Sequence, residues 1–138
     1  MFFIEQGGRV AVYRPDIGAV VEAAHFAVFT DMENGLLGLA LDPDFADNGW
    51  LYLMRSPRHY PGQWISRFTV VGDVLDRASE KLVFAFEEQR DECCRHAGSL
   101  EFGPGGELFI ATGDNTNPFG SDGYGPIDER DGRSPWDG

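Results

Sequence analysis

The densest run of chemically capable side chains is Cys93-Cys94-Arg95-His96. Thiols and an imidazole are zinc ligands, but structural zinc sites separate their paired cysteines by a few residues, and this run does not. A disulfide between the neighbours is strained, because adjacent Cα atoms sit about 3.8 Å apart and disulfides ordinarily hold them at about 4.4–6.8 Å. Two free, partly buried thiols are the plainer reading and a vicinal disulfide the alternative. A second run is acidic: Asp114, Asp122, Asp128, Glu129, Asp131 and Asp137 face only Arg130 and Arg133. Oxygen-rich loops bind calcium, but this spacing does not fit the twelve-residue calcium loop, so a solvated loop is expected. His25 and His59 have no partner at a useful spacing.

Composition narrows the function classes. The 138 residues carry 11 Lys and Arg against 23 Asp and Glu, a formal net charge of −12. Such a chain is a poor phosphate tracker and is repelled by anionic lipid, which argues against nucleic-acid and membrane partners. Apolar runs are short and broken by charge, so no segment spans a bilayer. With 42% apolar and 13% aromatic residues the chain is not a disordered acidic tail. The start, Met1-Phe2-Phe3-Ile4-Glu5, lacks a basic region and a cleavage site and is not read as a signal peptide. The chain reads as a piece of a longer protein, cut near both ends.

The elements that must position any site are mostly strands. Phe2 to Gln6 and Arg9 to Tyr13 flank Gly7-Gly8 as a hairpin. Val20 to Phe29 follows, with a Glu-Ala-Ala stretch that is compatible with helix. Leu36 to Leu41, Trp50 to Arg55, Trp64 to Val71, Lys81 to Phe86, Leu100 to Phe102 and Glu107 to Thr112 complete the series. Turn residues separate them, helped by 18 glycines and 8 prolines. No long stretch carries a helical apolar period, so little helix is expected.

The strands repeat. Leu39-Ala40-Leu41-Asp42-Pro43 is echoed by Leu100-Glu101-Phe102-Gly103-Pro104, and Gly49-Trp50-Leu51-Tyr52-Leu53 by Gly106-Glu107-Leu108-Phe109-Ile110. The second copy has the shorter turn. A unit recurring about every 60 residues predicts an all-β, partial β-propeller of about two and a half blades, with one blade over Leu36 to Phe86. Trp50, Tyr52, Phe102 and Phe109 are expected in blade cores. Open blade faces make the isolated chain prone to self-association.

Two stretches carry a resemblance. Glu33-Asn34-Gly35-Leu36-Leu37-Gly38-Leu39-Ala40-Leu41-Asp42-Pro43-Asp44-Phe45 and His96-Ala97-Gly98-Ser99-Leu100-Glu101-Phe102-Gly103-Pro104-Gly105-Gly106-Glu107-Leu108-Phe109-Ile110-Ala111-Thr112-Gly113-Asp114, in that order, resemble the glucose/sorbosone dehydrogenase family. Those are soluble quinoprotein sugar dehydrogenases built as six-bladed propellers. The resemblance implies that residues 1–138 are the N-terminal part of such a propeller, truncated at its C-terminus, with the remaining blades as partners. It also implies a secreted or periplasmic location.

The implied chemistry is oxidation of the C1 hydroxyl of an aldose sugar, with hydride passing to pyrroloquinoline quinone, usually beside calcium. His96 would take the hydroxyl proton, and Asp114 would hold its tautomer. Glu33, Arg95 and Asn115 would face the sugar. The residues that contact quinone and calcium lie mostly in later blades, so the site here is incomplete. One departure stands out. The family histidine falls five positions before the residue matching Leu100, which is Arg95, whereas His96 sits four before it. Either a local bulge restores His96, or Arg95 occupies the base position and the site is altered, since a guanidinium is not a base near neutral pH.

The same residues have plain readings: His96 as a loop histidine, Asp114 as the start of a turn with Asn115, and Glu33 as a solvated carboxylate. The competing function is therefore a non-catalytic propeller module that binds carbohydrate or protein. A metal-dependent lactone hydrolase would want channel carboxylates on several blades, and only Glu33, Asp114 and Asn115 are on offer.

Overall fold

The computed structural model describes residues 1–91, 96–113 and 115. Cys93, Cys94, Arg95, Asp114 and the acidic tail therefore lie outside the described residues. Among the described residues nine strands run β1 (Phe2–Ile4), β2 (Arg9–Arg14), β3 (Ala19–His25), β4 (Leu36–Leu41), β5 (Trp50–Arg55), β6 (Gly62–Val71), β7 (Val74–Glu87), β8 (Ala97–Phe102) and β9 (Leu108–Thr112). They form three antiparallel sheets in chain order: β1-β2-β3, β4-β5-β6-β7 and β8-β9. This is a partial propeller, with one four-stranded blade between parts of two others.

β4 and β5 match the sequence expectation residue for residue. The 19–25 segment is a strand, its β-branched residues prevailing over Glu22-Ala23-Ala24 through pairing with β2. The first hairpin turns over Glu5 to Gly8, closed by Gly8 N–H to Glu5 O at 2.9 Å. Two short elements were not legible as periods: a 3-10 turn at Asp31–Glu33 and helix α1 at Phe45–Asn48. α1 fills the longer turn of the first repeat copy, where the second copy has only Gly103 to Glu107.

Strand alternation makes the middle blade apolar on both faces. Leu51, Leu53 and Phe68 pack with Val10 and Ala23 of the first sheet and with Phe26 and Val28 in the segment that follows it. Met54 and Ile65 pack with Leu100 of the third. Tyr52 meets Phe102 edge-on, with ring centroids 5.1 Å apart. Phe109 corrects the core expectation: it is 62% exposed, because Leu108 and Ile110 take the inward face of β9 and period two turns Phe109 outward.

The repeat extends to a pair of bulges. Pairing slips between Leu36 and Gly38 in β4 and between Ala97 and Ser99 in β8, at equivalent places in the two copies. The bulges face each other. A Cβ on Gly98 would stand 2.7 Å from Leu37 O and 2.8 Å from Leu37 Cβ, and one on Gly38 would stand 2.8 Å from Gly98 O. Both motif glycines therefore let adjacent inner strands approach. Gly98→Ala is expected to cost about 1–3 kcal/mol, read by urea denaturation of the full-length protein.

The Asp-Pro turn of the first copy has its own lock. Asp42 Oδ1 accepts from Asn48 Nδ2 at 2.8 Å and from Asp44 N–H at 3.1 Å, and Oδ2 accepts from the Tyr52 hydroxyl at 3.2 Å. Burial pushes the Asp42 pKa up, but these bonds and the Arg67 charge outweigh it and leave it below the usual 3.8. The ionised form is thus favoured by folding. Its stabilisation is full above 3.8 and fades as pH falls through the lower folded value. Asp42→Ala should cost about 1–2 kcal/mol at neutral pH, and the gap from the parent protein should narrow as denaturation curves are taken into acid.

Candidate active site

One end of the sheets gathers buried polar residues. Asn34 precedes β4, Ser56 follows β5, Gln63 opens β6, Glu88 follows β7, His96 precedes β8 and Asn115 follows β9. In antiparallel sheets these are all the same end, as the pairs Leu36–Arg55, Arg55–Trp64 and Ala97–Thr112 require. The β1–β2 turn joins them: Gln6 Nε2 donates to Asn34 O at 2.9 Å, and Leu36 N–H to Gln6 O at 2.9 Å.

These side chains are buried and connected. His96 Nδ1 lies 3.1 Å from Glu88 Oε2, with the two side chains 0% and 4% exposed. Gln63 Nε2 donates to Glu88 Oε2 at 2.8 Å and reaches Ser56 Oγ at 2.8 Å and Asn34 Oδ1 at 3.3 Å. Ser56 Oγ accepts from Gly35 N–H at 3.0 Å. Asn34 Nδ2 donates to Asp31 O at 2.9 Å. On the far side, Asn115 Nδ2 is 3.1 Å from His96 Nδ1, and Asn115 Oδ1 accepts from Gln89 N–H at 2.8 Å. His96 Nε2 is buried with no hydrogen-bond partner among the described residues.

The neighbouring cation is Arg90. It donates to Pro57 O at 3.0 Å and Gly62 O at 3.2 Å, and its guanidinium lies 4.3 Å from the Phe29 ring centroid. Burial pulls its pKa down, against the opposite pull of the Glu88 charge. Backbone strain collects at the same place. The non-glycine residues with left-handed φ among the described residues are Met32 (56°), Glu33 (71°) and Asn115 (49°), which flank the two ends of the network. Such conformations cost on the order of 1–3 kcal/mol each and cluster at functional sites.

Of the expected site residues, His96 is at the centre of this network and Asn115 beside it. Glu33 is exposed in the turn that leads into Asn34. Arg95 and Asp114 lie outside the described residues. A bulge of β8, between Ala97 and Ser99, follows His96. Sequence reasoning missed Glu88, Gln63, Ser56 and the part played by Asn34. The available signal was positional: each is a polar residue at or just past the end of a strand, at the end where His96 enters β8.

A neutral imidazole that donates Nδ1–H to a carboxylate keeps its lone pair on Nε2, which is the arrangement of an oriented base. A sequence model of the family described as Glucose / Sorbosone dehydrogenase matches residues 1–125. The chain belongs to the glucose/sorbosone dehydrogenase family. Solved structures agree. An oxidoreductase assigned as a glucose dehydrogenase from Thermus thermophilus is 29% identical over 82% of this chain, with a TM-score of 0.70. A glucose dehydrogenase is 25% identical over 83% of it, with a TM-score of 0.69. The PQQ-bound aldose sugar dehydrogenase of Streptomyces coelicolor shares the fold at 23% identity over 80%, with a TM-score of 0.66. The chain spans 33%, 34% and 33% of those proteins, about a third of their length. Family membership and the network together predict that Glu88→Ala, which strips a buried acceptor from both Gln63 and His96, costs about 2–5 kcal/mol, measured by chemical denaturation of the full-length protein.

Proposed function

We propose that residues 1–138 form the N-terminal part of a sugar dehydrogenase propeller, completed by further blades, and that His96 is the base that takes the proton from the C1 hydroxyl of an aldose. The observation that carries this is the buried imidazole with Nδ1 on Glu88 and Nε2 without a partner among the described residues. A buried polar atom left unpaired is costly, so such an atom marks a place that a ligand group completes. A sugar hydroxyl donates to a lone pair of this kind.

Pyrroloquinoline quinone, when bound, supplies the hydride acceptor. The orphaned Nε2 fits beside such an acceptor, because hydride leaves a hydroxyl-bearing carbon more readily as the hydroxyl proton is withdrawn. None of the described residues is assigned to hold the quinone. Calcium, where the protein uses it, is assigned by the family resemblance mostly to the blades beyond.

The other residues support the proton transfer. Glu33, on a strained backbone at the mouth of the network, is proposed to accept a sugar hydroxyl, and Arg95 to donate to one. The resemblance sets Asn115 against the sugar; its amide instead pairs with the Gln89 backbone next to the ring, so its proposed task moves to fixing the Gln89 segment beside His96. Asp114 remains proposed as a further orienting carboxylate. No described helix is long and apolar enough to cross a membrane, and a secreted or periplasmic location is proposed from the family.

The test is dye reduction by the full-length protein, supplied with the quinone and calcium, across a panel of aldoses. Turnover is expected, and His96→Gln should lower kcat by about 10²–10⁴-fold. Binding of sugar without turnover by the parent protein would reject the enzyme and favour the carbohydrate-binding module.

A further inference from the structure

We propose that a one-way chain of hydrogen bonds from the Gly35 amide, through Ser56 and Gln63 to Glu88, fixes the His96 proton on Nδ1 and makes Gln63 and Glu88 positioning residues for the base. The consequence for catalysis rests on the dehydrogenase reading above; the tautomer does not.

The direction of each link follows from what its atoms can do. A backbone N–H only donates, so Ser56 Oγ accepts from Gly35 at 3.0 Å. The single Ser56 hydroxyl proton then goes to Gln63 Oε1 at 3.1 Å. Gln63 Nε2 stands closer still to that hydroxyl, at 2.8 Å, so the amide is oriented from its other side, where acceptors face the N–H end and leave Oε1 for the Ser56 proton. One of those acceptors is Glu88 Oε2 at 2.8 Å. Glu88 Oε2 is thereby an acceptor in the network, and it meets His96 Nδ1 at 3.1 Å as one. The proton between them belongs to Nδ1, and Nε2 keeps its lone pair.

Asn115 pulls the other way, since its Nδ2 stands equally close to Nδ1 at 3.1 Å. An Nδ1 lone pair would satisfy that amide but would face Glu88 Oε2, lone pair against lone pair, in a buried site. Asn115 has an alternative: its Nδ2 also reaches Gln89 O at 3.3 Å. Among the described residues Glu88 has no comparable substitute for Nδ1–H. A hydrogen bond to a charged acceptor is roughly twice as strong as a neutral one, which decides the contest for Glu88.

The chain also has a reach that single contacts lack. Its origin, Gly35, sits in the first motif and its terminus, His96, in the second. An amide just before one inner strand thus sets the protonation pattern of a ring just before the next. Removing the carboxylate's charge and reversing the chain's direction are separate perturbations, and isosteric exchanges separate them.

The experiment is long-range proton–nitrogen NMR on the full-length protein with labelled histidine, at a pH where the ring is neutral. Nδ1–H is expected in the parent protein. Glu88→Gln should keep it, because Gln63 still donates and holds the new carbonyl oxygen toward the ring. The paired exchange Gln63→Glu with Glu88→Gln preserves charge and volume but reverses the chain: the new amide donates to both its neighbours, the proton moves to Nε2, and kcat for aldoses falls by about 10²–10⁴-fold with KM little changed. An Nε2–H ring in the parent protein, or Nδ1–H retained in the paired exchange, overturns the proposal. A flip already in Glu88→Gln alone also overturns it, by removing Gln63 from control. Should the paired exchange fail to fold, the parent tautomer still decides. Absence of sugar turnover would sink the dehydrogenase reading while leaving the tautomer result standing.

Discussion

An imidazole and a carboxylate meet at 3.1 Å where solvent does not reach. Ionisable groups are expensive in such a place unless every polar atom around them is satisfied. That requirement spreads outward. Glu88 needs a donor besides the ring and finds it in Gln63; Gln63 needs an acceptor and a donor and finds Ser56; Asn34 is in turn tied to Asp31 and Gln6. Each link draws on a residue at the same end of a different strand. The site spans three sheets because no one sheet offers enough partners at one depth.

Blade packing supplies the rigidity this needs. The middle blade is apolar on both faces, so its strand ends are pinned from both sides. The inner strands β4 and β8 come together at their bulges, where Gly38 and Gly98 remove the side chains that would hold them apart. Bulges re-aim the residues beside them and are common near active sites. Here one lies just before the start of the regular β4 ladder and the other just after His96. The strain at Met32, Glu33 and Asn115 is borne at the rim of the same assembly, where packing over-determines the backbone.

The strands were legible because apolar alternation and turn glycines are local signals. Leu36–Leu41 and Trp50–Arg55 needed nothing beyond their own residues. The repeat was legible too, since a blade is built twice from one pattern. The short helix α1 was not, because four residues do not make a period. His96 was visible through its motif, but Glu88 was not: nothing in Phe86-Glu87-Glu88-Gln89 says which glutamate turns inward. Only the pairing of Gly62 with Glu87 places Glu88 just past the ladder, beside Gln63 and across from the next blade. Polar partners assembled from strand ends of different hairpins leave no spacing in the chain.

The bulge beside His96 changes which way its side chain turns relative to Leu100. In an unbroken strand a residue four positions before Leu100 shares its face, and one five positions before it faces the other way. A bulge sets two residues against one, so one of the intervening residues does not count toward the alternation. The register break between Ala97 and Ser99 therefore gives an even separation the parity of an odd one. His96 accordingly meets Glu88 and Asn115 rather than the apolar face that Leu100 occupies.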